Sequence, residues 1–264
     1  ALQFSDPDVL LSIRFLLAAF LMTLMILFKK AKVSFRGKKL KSLLLLAGSE
    51  VLYFYMESNG ILYTNATFAG VVLAVVPVVA IFLAIFFLRE FPTKRQVFFC
   101  ILPVVGVIII TAAGSSLGII RPIGVAFLIC SCISSAAYKT ANRKSSEEFT
   151  AFERTYAVLL VSAAVFTISA LKTVNGDLHA YLEPLSQPVF LFAVFMLSVF
   201  CSVGANMLVN YAAGKMPVVQ LSAFGSLTTL CSMFAGVVFL GEPMTASLLL
   251  GSVLVLIGIR YITK

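Results

Sequence analysis

The chain has no tryptophan, one histidine (His179) and little charge, with Asp, Glu, Lys and Arg together filling 12% of its 264 positions. So little charge excludes an ordinary soluble domain, where about a quarter of residues are charged. A single histidine, together with the lack of a Gly-rich phosphate loop, leaves no nucleophile–base–orienter set and no nucleotide cradle, so an enzyme is not expected. His179 has Asp177 and Glu183 nearby but no second His or Cys, which leaves no metal site. Cys100, Cys130, Cys132, Cys201 and Cys231 all fall inside apolar runs without paired ligand spacing and read as small buried hydrophobic residues. No cofactor is expected. Acidic residues are the scarcer sign, 11 against 20 basic, and the net charge is +9. The basic residues sit mostly in short links between apolar runs, where positive charge sets topology, so nucleic acid is not an expected partner.

What fills the chain instead is apolar sequence, 61% of it. At about 20 residues per spanning helix, the length holds roughly nine or ten spans and no separate soluble domain. The runs are Val9 to Phe28, Ser42 to Leu62, Thr67 to Leu88, Gln96 to Ala113, Ile123 to Thr140, Phe152 to Leu171, Val189 to Tyr211, Val218 to Leu240 and Ala246 to Ile262. Lys29, Lys30, Lys32, Arg36, Lys38, Lys39 and Lys41 mark the link after the first run as cytoplasmic. Alternating from there puts Arg14, Arg121 and Lys172 on the outer side, the other Lys and Arg at or near the inner side, and the C-terminus in the cytoplasm.

One stretch occurs twice, as Phe87 to Thr111 and as Phe239 to Thr263. A shift of 152 residues matches Leu88 with Leu240, Glu90 with Glu242, Thr93 with Thr245, Gly106 with Gly258 and Ile110 with Ile262. Upstream, Arg14 matches Arg154. The topology gives the two copies opposite orientation, since the Glu90 turn falls inside and the Glu242 turn outside. An internal inverted repeat is the build of a carrier with its site near the bilayer midplane. The run Ile123 to Thr140 has no partner upstream, so the expectation is an all-α integral membrane protein, an inverted-repeat bundle of ten helices with nine in this chain and the first one missing. The repeats are expected at 1–113 and 121–264, joined by a linker at 114–120.

The doubled run–LxE–Thr-turn–Gly-helix pattern, with Pro77 before the first Glu and Thr229 in the place of that proline in the second copy, resembles the EamA-type permeases of the drug/metabolite transporter superfamily. The resemblance covers essentially the whole chain. It implies a bacterial inner-membrane carrier for a small metabolite, commonly exported, in which four helices of each half surround the cavity and the fifth supports them. The scaffold does not name the cargo. An amino-acid-like or other amphipathic solute is expected, moved by alternating access with protons as a candidate coupling ion. A nucleotide-sugar or organophosphate antiporter is the alternative. It would need Lys or Arg in the cavity, and the mid-membrane stretches read as acids and amides instead. A membrane receptor or non-transporting subunit is the alternative of another class. Both monomer and homodimer are open.

Ionisable groups in a bilayer are costly, which makes them the first site candidates. Glu50, Tyr53 and Glu57 fall on one helical stripe, able to bind an amine or take up a proton. Asn206 and Asn210 lie one turn apart in the facing half, suited either to hydrogen bonding a solute or to joining helices. Ser131, Ser134, Ser135 and Tyr138 form a polar side on their run, and Gln220, Ser222, Ser226, Thr228 and Thr229 add further candidates. Arg14 and Arg154 serve as interface anchors or as gates for an anion. Pro77, Glu90 and Glu242 are expected to be structural hinges, with each Glu capping the helix that follows it.

Overall fold

A computed structural model describes residues 5–29, 33–35, 37–38, 40–64, 66–113, 121–240 and 246–262. Among the described residues the regular structure is all helical: α1 Pro7–Leu27, α2 Leu40–Tyr63, α3 Ala66–Leu73, α4 Val76–Leu88, α5 Lys94–Ala113, α6 Pro122–Ser145 and α7 Ala151–Thr173. The short α8 Leu178–Leu182 follows, then α9 Pro188–Met196, a π-helical segment Leu197–Ala205, α10 Asn206–Ala213, α11 Val218–Leu240 and α12 Ala246–Ile262. Among the described residues, Pro7–Leu27, Pro122–Ser145, Ala151–Thr173 and the run Pro188–Ala213 are long and apolar enough to cross a bilayer.

One expected single span is interrupted and another is distorted. The run Thr67 to Leu88 is two helices, because Pro77 has no N–H to give the Leu73 carbonyl. The chain turns at Ala74 and Val75, and Val78 N–H bonds the Val75 carbonyl at 2.9 Å instead. The run Val189 to Tyr211 stays continuous but widens into the π segment.

The chain forms two compact units, Ala1–Val51 with Lys144–Gly214, and Leu52–Arg143 with Lys215–Lys264. In the first unit α1 and α7 run antiparallel. Asp8 accepts from Ser169 at 2.7 Å, Ser12 bonds Thr167 at 2.9 Å, Phe15 stacks on Phe166 at 5.6 Å, and Thr23 meets Tyr156 at 3.2 Å. Partner numbers fall as residue numbers rise, so the repeat-equivalent residues Arg14 and Arg154 lie toward opposite ends of this pair. Thr150 and Glu153 close a capping box on α7, and Glu153 also takes Lys38 Nζ at 2.7 Å and Ser34 N–H at 2.8 Å. That carboxylate ties the basic link after α1 to the start of α7.

In the second unit α5 and α12 are likewise antiparallel, and the repeated glycines are their contact points. A Cβ on Gly106 would stand 2.6 Å from the Gly251 carbonyl oxygen and 2.9 Å from Val255 Cγ2; one on Gly258 would stand 3.1 Å from the Phe99 carbonyl oxygen and overlap the Pro103 ring. The 152-residue shift carries Phe99 onto Gly251 and Pro103 onto Val255, so the two contacts are one contact seen twice about a local two-fold axis. Gln96 and Phe99 extend the seam to the Ile262 carbonyl and the Tyr261 ring. Cys100, Val107, Val255, Ile259 and Ile262 fill it together with Ala74, Ile81, Val219 and Ala223. Lipid is as apolar as these side chains, so close backbone approach and dispersion hold the seam rather than exclusion of water.

Candidate functional site

In the first unit the polar residues gather on the π segment and its neighbours. Ser198 and Ser202, both fully buried, meet α1 at one residue: Ser198 Oγ donates to the Arg14 carbonyl at 2.9 Å, and Arg14 Nε donates to Ser202 Oγ at 2.7 Å. The Arg14 guanidinium also lies over the Phe15 ring, 5.2 Å from its centroid. In an α-helix of about 3.6 residues per turn, every step of four residues drifts around the axis. Hydrogen bonding to the fifth residue widens the turn and cancels that drift. The π segment thus holds Ser198, Ser202, Asn206 and Asn210 closer to one face than an α-helix would.

Asn210 is fully buried and engaged: its side-chain amide donates to Thr155 Oγ1 at 2.7 Å, and its main-chain carbonyl accepts from Arg154 Nη2. Asn206, one turn earlier, is half-buried. Glu50 belongs to this unit and is 5% exposed. Its carboxyl group is thus buried at the middle of α2.

In the second unit, Tyr53 and Glu57 are joined along α2, the phenol donating to Glu57 Oε1 at 2.9 Å. Ser131 on α6 is buried and donates to the Tyr53 carbonyl at 3.4 Å. Gly60 and Gly124 let the two helices close here. A Cβ at Gly60 would meet Leu128 at 2.6 Å, and one at Gly124 would meet Thr64 Cγ2 at 2.7 Å. Ser135 is half-buried and Tyr138 buried on the same helix, while Ser134 turns back to the Cys130 carbonyl. Gln220 Nε2 reaches the Ile262 carbonyl at 3.4 Å. The side chains of Thr228 and Thr229, and Glu242 altogether, lie outside the described residues.

Glu90 caps a helix, but not the one that follows it. Its Oε2 accepts the Val218 N–H at the start of α11 at 3.2 Å, and its Oε1 accepts Arg143 Nε from α6 at 3.0 Å. The start of α5 is served by its own capping box, in which Gln96 N–H bonds Thr93 Oγ1 and Thr93 N–H bonds Gln96 Oε1. One carboxylate therefore gathers the end of α4, the end of α6 and the beginning of α11.

Three functional candidates escape a reading of the sequence. Ser198 and Ser202 look like scattered serines in an apolar run, since the π turn that aligns them leaves no periodic signature. Lys139, in the last third of α6, counts as an inner-side base when links are tallied. Its Nζ in fact points at α11, 3.4 Å from the position of a Cβ on Gly225. A lysine side chain therefore lies between two helices of this unit, in addition to the acids and amides that the sequence offers. Cys130, Cys201 and Cys231 are exposed in the chain rather than buried, whereas Cys100 and Cys132 are buried as expected.

Comparison with known proteins gives the same scaffold. The EamA-like transporter family matches residues 1–112 and 122–264. The uncharacterized transporter YcxC of Bacillus subtilis is 32% identical over 263 residues, covering 98% of this chain and 84% of that protein. An uncharacterized transporter of Archaeoglobus fulgidus is 23% identical over 268 residues, covering 100% of this chain and 91% of its own. A crystal structure with 15% identity superposes with a TM-score of 0.80, covering 98% of this chain and 89% of the other, and shows the same fold.

Proposed function

The chain belongs to the EamA-like transporter family, a multi-pass membrane family whose relatives are named transporters rather than enzymes, and from that premise we propose that it is a secondary carrier. Its substrate is a small amphipathic, amino-acid-like metabolite, moved out of the cytoplasm of a bacterium across the inner membrane by alternating access. The C-terminus faces the cytoplasm.

The observation that carries this reading is the pairing of repeat-equivalent helices in antiparallel order, α1 with α7 in one unit and α5 with α12 in the other. Inverted halves can exchange conformations, so a state open to one side has a counterpart of similar energy open to the other. The break at Pro77 and the π segment are local departures from the α-helical ladder, where a helix bends most easily. The Glu90 cluster and the Pro77 break act as hinges. Glu50 is the candidate for proton coupling or for meeting the amine of the solute, with Tyr53, Glu57, Ser131, Ser135, Tyr138, Asn206, Asn210 and Thr228 as further substrate contacts.

Purified protein in proteoliposomes, assayed for efflux of labelled amino acids, purines and quaternary amines, tests the reading. Flux of one class is expected, with Glu50→Gln abolishing its dependence on a pH gradient. Binding of a partner protein without flux of any solute would replace the carrier with a receptor or subunit.

A further inference from the structure

Lys139 is a cation without a carboxylate partner among the described residues. Lys38 pairs with Glu153 and Arg143 with Glu90. The ordinary fate of a lysine near the end of a spanning helix is to snorkel, its stem lying along apolar surface and its ammonium reaching the polar interface. Lys139 does the opposite. The charged layer is defined by Glu90, which holds Arg143 of α6 and the Val218 N–H of α11 together. Measured inward from that layer, the Lys139 backbone is one turn along α6, about 6 Å at 1.5 Å per residue, while Gly225 is seven residues along α11, about 10 Å. The ammonium lies beside Gly225, so the side chain climbs away from the interface into the membrane interior.

What it meets there suits an anion. Gly225 is exposed, while the ammonium beside it is enclosed by the packed helices, near the buried Cys132 and Cys100. A buried ammonium without a counter-charge is heavily penalised, so the site calls for an anionic partner. One turn before Gly225, Ser222 is 1% exposed, and its hydroxyl has no hydrogen-bond partner among the described residues. A buried, unsatisfied hydroxyl is itself costly and calls for a ligand atom. On α6, Ser135 and Cys132 lie one and two turns back on the Lys139 face. Donors thus converge from two helices of one unit, and no described carboxylate competes for them.

We infer that Lys139 and Ser222, beside the room that Gly225 leaves by having no side chain, form a subsite for the anionic group, carboxylate or phosphate, of the transported solute. The identity of that solute rests on the carrier reading; the chemistry of the subsite does not. A carboxylate fits an amino-acid-like cargo and a phosphate an organophosphate, and Lys139 supplies the cation that the latter requires.

The test is thermal unfolding of the full chain in detergent with L-leucine, with isoamylamine, which is leucine without its carboxylate, with glycerol 3-phosphate and with glycerol. One anionic probe is expected to raise the wild-type Tm while its neutral or cationic counterpart does not, and which one does so separates carboxylate from phosphate. Lys139→Gln should weaken the apparent affinity for that probe by about 10- to 100-fold, the weight of a hydrogen bond to a charged group. Lys139→Arg should retain most of it. If Lys139→Gln does not fold, Gly225→Ala, which sets a methyl 3.4 Å from Nζ, should reduce the affinity with the charge in place. Neither anionic probe shifting the wild-type Tm, or both variants responding as wild type does, overturns the subsite. Anion binding without flux in proteoliposomes removes the carrier and leaves the subsite standing. Flux unchanged by Lys139→Gln does the reverse.

Discussion

Arg14 and Arg154 occupy equivalent places in the two repeats, yet they hold the same helical run by different means. Arg14 donates to a side chain, Ser202, within the π segment. Arg154, 2% exposed, donates to the carbonyl of Asn210 in the last turn of α10. A guanidinium there satisfies the carbonyl and complements the negative end of the helix. Arg154→Met is expected to lower stability by about 1.5–3 kcal/mol, as for hydrogen bonds to charged groups, read as a fall in Tm of the purified protein. Arg154→Lys should recover only part of the loss, because an ammonium lacks the planar fork. The match of the two arginines is legible in the sequence. Their partners are not, because a carbonyl acceptor leaves no residue-type signal.

Among the elements, the α5–α12 seam explains why glycine stands at both position 106 and position 258. Each lies where the facing helix approaches too closely for a Cβ, the Gly251 carbonyl at Gly106 and the Pro103 ring at Gly258, and the two sites are related by the local two-fold axis. The Phe99 carbonyl, left without its helical donor because Pro103 has no N–H, lies against Gly258. Gly106→Ala and Gly258→Ala should each destabilise the protein by about 1–3 kcal/mol through overpacking, with similar falls in Tm in detergent. A strong response to only one of them would show that the axis does not extend to energetics. The repeated Gly is visible in the sequence as a match; its reason lies in the distance between two helices.

For the whole molecule, the consequential contact is the Glu90 cluster, which links three helices distant in the chain. The pair with Arg143 is about a third exposed, so its Coulomb share is small, about 0.5–1 kcal/mol. A double-mutant cycle on Glu90→Gln and Arg143→Gln should return a coupling of that size from unfolding measurements. Glu90→Gln alone should also change the rate of solute efflux, since the carboxylate holds the start of α11. An efflux rate equal to that of wild type would make the cluster a static brace rather than a hinge.

The sequence by itself determined the class, the approximate spans, the doubling and the inversion. Each of these follows from quantities that accumulate along a segment: hydropathy over about 20 residues, the count of bases in a link and a constant shift between copies. Only the tertiary structure decided that Pro77 breaks its span, that Glu90 caps α11 instead of α5, that a π turn aligns Ser198 with Ser202, and that Lys139 reaches Gly225 on α11. These depend on which helices become neighbours and on where a side chain points between them, and a lysine written one turn from a charged link reads the same whether it snorkels out or climbs in.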